Sequence, residues 1–135
     1  METKIYSSSG FIHQCSNEEL YVLTRHWLSD IVFFERELAF FQSLLQRCFS
    51  AEVTLVEAKF RDLQTRLELL KEGVNLHQST LGTALDKTGT PEPVDFNIIQ
   101  SKLECELFDF IKTFRFIKQE LFKFTPKCLI PNQNT

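Results

Sequence analysis

Five side chains in this sequence have the types needed to bind a metal ion or move protons: His26, Asp30, Glu37, His77 and Glu106. His26 and Asp30 stand four residues apart, and on a helix that spacing lets an imidazole and a carboxylate reach one point. Glu37 continues the same flank, interleaved with Phe33 and Phe40. A chain that folds back near residue 50 and again near residue 90 brings His77 and Glu106 level with His26. Carboxylates and imidazoles converging inside a bundle are similar in kind to a ferritin-like site for a transition metal ion. The Glu-x-x-His pair of such sites is missing, and three histidines are fewer than a hemerythrin-like site uses. The same residues serve equally as a hydrogen-bonded polar layer that fixes register.

Other chemistry finds less support. His77 lies in Leu76-His77-Gln78-Ser79-Thr80-Leu81-Gly82, without the basic residue and close glycine expected after a phosphotransfer histidine. There is no Gly-x-Ser-x-Gly elbow and no Gly-rich phosphate loop. The cysteines are Cys15, Cys48, Cys105 and Cys128, and no pair has zinc-ligand spacing. In an up-down-up arrangement Cys48 and Cys128 fall near one end and Cys15 at the other, so reduced structural thiols are expected.

The elements that would position these residues are clear from periodicity. Apolar residues recur at alternating steps of three and four, the signature of one helix face. The first stripe is Leu20, Trp27, Ile31, Phe34, Leu38, Phe41, Leu45 and Cys48. The second runs Val53, Val56, Phe60, Leu63, Leu67, Leu70, Val74, His77, Leu81 and Leu85. The third runs Phe96, Ile99, Leu103, Leu107, Phe110, Phe114, Ile117, Leu121 and Phe124. They predict an all-α fold, an antiparallel bundle of three long amphipathic helices over about 17–48, 51–87 and 95–125.

Local signals set the boundaries. Ser16 followed by Glu19 forms a capping box. No glycine or proline separates the first two helices, but the stripe slips by one residue after Cys48. That slip, with Ser50 as a cap, favours a tight turn over one helix of about 70 residues. Gly73 and Gly82 weaken the second helix. Thr88-Gly89-Thr90-Pro91-Glu92-Pro93 is turn chemistry, Asp95 can cap the third helix, and Pro126 is expected to end it. The domain organisation is a polar arm over 1–15, a bundle domain over 16–126 and a polar tail over 127–135.

At 135 residues the chain can bury one core without a disulfide or metal staple. Its net charge of -3 lacks the basic excess of a general nucleic-acid binder. No run of 18 apolar residues is present and the first residues lack a signal-peptide core, so a cytoplasmic location without membrane insertion is expected.

The apolar surface exceeds what three helices need. Phe33 and Phe40 lie about 100° from the first stripe, and Phe108 and Phe116 point away from the third. A surplus of this kind marks an interaction face. The leading expectation is therefore a non-enzymatic interaction or scaffold protein that needs no cofactor. It would dock another protein or self-associate as a homo-oligomer through Phe33, Phe40, Phe108 and Phe116. The alternative is the metal-binding bundle.

Overall fold

The computed structural model describes residues 15–48, 50–86 and 95–128, the last five through their backbone alone. Three helices make up the fold: α1 (Asn17–Leu45), α2 (Ala51–Asp86) and α3 (Phe96–Cys128). The polar arm before Cys15, Phe49, the Thr88–Pro93 turn, the side chains of Phe124 and Cys128, and the tail beyond Cys128 lie outside the described residues.

Each boundary has a local cause. Ser16 Oγ accepts from the Glu19 amide at 3.2 Å while Glu19 Oε1 accepts from the Ser16 amide at 2.8 Å. At the end of α1 the Arg47 and Cys48 amides turn back to the carbonyls of Leu44 and Leu45, which tightens the chain into a turn. Ser50 then caps α2, its Oγ accepting from the Val53 amide at 3.1 Å. The slip in the stripe is thus a true break between helices. Asp95 Oδ1 accepts from the Asn97 amide at the start of α3. The far end of α3 departs from expectation, continuing past Pro126 to Cys128.

Cross-helix pairs fix the topology. Gln42 meets Gln64 and Glu35 meets Lys71, so α1 and α2 run antiparallel. Lys59–Glu120 and Arg66–Asp109 do the same for α2 and α3. Glu37–Lys118 and the bonds between Cys15 and Asn97 show α1 and α3 parallel. The apolar stripes are buried nearly as read from the sequence, with Phe34 half-buried against the core and Leu85 half-buried near the end of α2. Two positions differ. Ile99 is exposed while Gln100 is buried, and Thr24 fills the gap between Leu20 and Trp27. With those changes the inward positions of every helix keep a strict alternation of three and four among the described residues.

The three contacts between helices are unequal. The backbones of α1 and α3 approach each other at far fewer points than either approaches α2. Phenyl rings fill the wider gap. Phe34 meets Phe110 and Phe114 edge-on at centroid distances of 5.5 and 5.8 Å. Phe41 meets Phe114 at 6.3 Å and Phe122 at 6.1 Å, and stacks on Phe60 of α2 at 5.8 Å. This explains why α1 and α3 carry the large rings and α2 mainly leucines. On the opposite side α2 and α3 run close, so a Cβ added at Gly73 would stand 3.3 Å from a Leu103 methyl.

Phe114 touches four other rings and is 2% exposed, so it ties all three helices together. Phe114→Ala should cost about 3–5 kcal/mol of stability in urea unfolding. Phe116→Ala, two residues on and 59% exposed, should cost well under about 1 kcal/mol.

Candidate functional site

The five candidate metal ligands occupy three separate places. His26, Asp30 and Glu37 share one flank of α1, as their spacing implied, and Glu37 pairs with Lys118 of α3 at 3.5 Å. His26 and Asp30 are exposed to solvent. His77 is 3% exposed, inside the bundle. Glu106 is exposed on the edge of α3 that carries Glu120, which faces α2 through Lys59. Among the described residues no group of three or more His, Cys, Asp and Glu side chains gathers as a metal ion would require. The expected layer of His26, Asp30, His77 and Glu106 does not form, because alternate heptad positions send these residues to different faces.

A buried polar layer does exist, with other members. Gln100 Nε2 donates to the Leu20 carbonyl at 3.4 Å, which orients the amide so that its Oε1 accepts from His77 Nε2 at 2.6 Å. The proton therefore sits on Nε2, and buried Nδ1 has no partner among the described residues. Thr24 lies at the same level from α1 and donates its hydroxyl to the Tyr21 carbonyl at 2.8 Å. One polar residue from each helix thus separates a long apolar cluster, from Trp27 to Leu121, from a short one of Leu20, Leu81 and Phe96. Gln100 and Thr24 were legible as heptad positions, but apolar content alone pointed to Ile99 and passed over Thr24.

Burial pushes the His77 pKa below its ordinary value, opposed by the hydrogen bond to Gln100. Burial also raises the carboxyl pKa of Asp30, with His26 working against it, and that of Glu104. The Cys15 thiol is raised by burial and then by the charges of Glu19 and Glu104, so it is no activated nucleophile.

The exposed phenyl rings concentrate on one face. The Glu37–Lys118 pair marks the edges of α1 and α3 that look toward each other. On α1 the stripe through Glu37 contains His26, Asp30, Phe33, Phe40, Leu44 and Arg47. On α3 the stripe through Lys118 contains Glu104, Phe108, Ile111, Arg115 and Phe122. Phe33, Phe40, Phe108 and Phe122 are 54%, 59%, 44% and 52% exposed. Phe33 packs edge-on against Phe34, and Phe40 against Phe41, so these rings extend the core outward. Lys118 caps it, its Nζ 5.2 Å from the Phe114 centroid and 5.8 Å from that of Phe41. Phe116 lies elsewhere, on the edge of α3 bearing Glu120. The structure therefore brings together three of the four rings expected to bind a partner and adds Phe122, whose spacing four residues after Lys118 was the available signal.

Comparison of the chain with protein-family models, curated proteins and solved structures finds no match.

The linkage of His77 to pH has a definite sign. Its folded pKa lies below the unfolded value of about 6.5. Protons therefore bind the unfolded chain more tightly. The stability of the neutral layer is complete above about pH 6.5 and is lost as pH falls from there toward the folded pKa. Melting temperature should drop over that range in the native chain, and this component of the drop should vanish in His77→Leu/Gln100→Leu. At pH 7.5 the double variant should equal or exceed the native stability, while His77→Leu alone strands the Gln100 carbonyl and should cost about 1–3 kcal/mol.

Proposed function

We propose that this protein is a non-enzymatic interaction module that binds another protein surface through the face over the α1–α3 seam. The observation that carries the reading is the row of four half-exposed rings, Phe33, Phe40, Phe108 and Phe122, along one face of a bundle whose core is otherwise filled. Exposed apolar residues also occur on α2, at Leu55, Leu69 and Leu76. Those are single side chains separated by charged ones, a pattern normal for any surface. On the seam face Phe33 packs against half-buried Phe34, and Phe40 and Phe122 pack against buried Phe41. Rigid aromatic anchors of this kind lose little conformational freedom on binding, which makes them effective at the centre of an interface.

Replacing Phe40 by the photoreactive p-benzoylphenylalanine keeps a ring at the centre of the face. Irradiation in cells should link this variant to one dominant protein product, either a second copy or another chain. The same probe at Leu69 on α2 should give no such product. Equal labelling from both positions would remove the proposal.

A further inference from the structure

We propose that His77 is an acid-operated latch on one end of the bundle. A proton taken up by its ring releases the segments beyond the Thr24, His77 and Gln100 layer from one another, while the rest of the core stays packed. The inference stands on the geometry of the layer. His77 is 3% exposed, and a hydrogen-bonded chain that starts from it crosses all three helices. Its Nε2 donates to Gln100 Oε1 of α3 at 2.6 Å, and Gln100 Nε2 donates to the Leu20 carbonyl of α1 at 3.4 Å.

The layer accepts the neutral ring and has no place for the charged one. Gln100 is oriented by Leu20, so it offers the ring an acceptor at Nε2 and nothing more. A second proton would sit on Nδ1, which is buried and has no hydrogen-bond partner among the described residues. The charge would stand beside the Phe96 ring, 6.1 Å from centre to centre. The ionisable groups nearest in the chain do not offset it. Within one turn of His77 on α2, from Gly73 to Leu81, no other residue titrates. Within one turn of Thr24 on α1, Tyr21 rests beside Gly82, and Arg25 and His26 are exposed. Within one turn of Gln100 on α3, Lys102 is exposed and Glu104 acts by its charge on Cys15. What governs the ring proton is accordingly burial first, which disfavours the charged form, and then the bond to Gln100.

Relief comes from the weaker side. A buried charge is relieved when water reaches it, and water reaches this ring when either flanking cluster parts. The long cluster runs from Trp27 to Leu121 and holds the large rings of α1 and α3. Among the described residues, the short one is Leu20, Leu81 and Phe96 with partly buried Cys15, Tyr21 and Ala84. The short side therefore yields first, freeing the start of α1, the last turns of α2 and the start of α3 together.

The test is amide-resolved hydrogen exchange of the full chain at about pH 7.5 and about pH 5.5, corrected for the intrinsic pH dependence of exchange. Each condition is repeated over a series of low urea concentrations. Amides over 78–86 should be less protected than those over 34–45 and nearly insensitive to low urea, as a local opening requires. Their protection should fall by as much as about tenfold between the two conditions, because the opened ring titrates near about 6.5 and the closed one lower. Burial raises the carboxyl pKa of Glu104, so proton uptake there favours the closed form and works against the fall. In His77→Leu/Gln100→Leu the fall over 78–86 should disappear, with far-UV circular dichroism reporting the fold of the variant. Protection over 78–86 that equals that over 34–45, or that shares its urea dependence, overturns the latch, since the bundle then opens only as a whole. So does protection that holds at the lower pH, or a fall that the double variant retains. All but the last of these outcomes are read on the native chain, so they stand whether or not the variant folds.

Discussion

The strict alternation of buried positions at steps of three and four is the constraint on which the rest of this molecule depends. It holds in all three helices at once, so each level of the bundle receives one inward side chain from each. Side chains therefore meet in sets of three, and the size of one member determines what the others can be. Gly73 lets α2 and α3 run close, and the phenyl rings of α1 and α3 fill the space left on the opposite side. The unequal seams follow from residue volume, because a packed interior tolerates neither voids nor overlap.

That inequality shapes the exterior too. Where two helices are close, their flanks meet in ion pairs such as Lys71–Glu35 and Lys59–Glu120. Where they are spread, the filling rings reach toward the surface, and neighbours such as Phe33 and Phe40 pack edge-on against them from outside. The Lys118–Glu37 pair closes only part of this opening. The exposed aromatic face is thus the outward continuation of the same packing that spaces the helices.

The architecture was legible in the sequence because periodicity, capping and turn chemistry agreed. The phase slip after Cys48, with Ser50 as a cap, located the one break that lacks glycine or proline. Reading by hydrophobicity failed where register outranked it, burying Gln100 and Thr24 while leaving Ile99 exposed. The candidate site was legible residue by residue but not as an assembly. Phe33 and Phe40 were recognisable as surplus rings, yet only the pairing of Glu37 with Lys118 shows which helix edges face each other. It separates Phe116 from the others and admits Phe122. The metal constellation failed for the same reason, since sequence level is shared by residues on opposite sides of a bundle.

The polar layer of Thr24, His77 and Gln100 also has a dynamic consequence. Apolar contact is what makes a bundle unfold as one unit, and this layer interrupts it between a long cluster and a short one. Among the described residues, the short segment beyond it is held by Leu20, Leu81, Phe96 and their partly buried neighbours. Sub-global opening draws on regions with few buried apolar contacts. The end of the bundle that carries the start of α1 can therefore breathe while the aromatic end stays closed, giving one small domain two different local lifetimes.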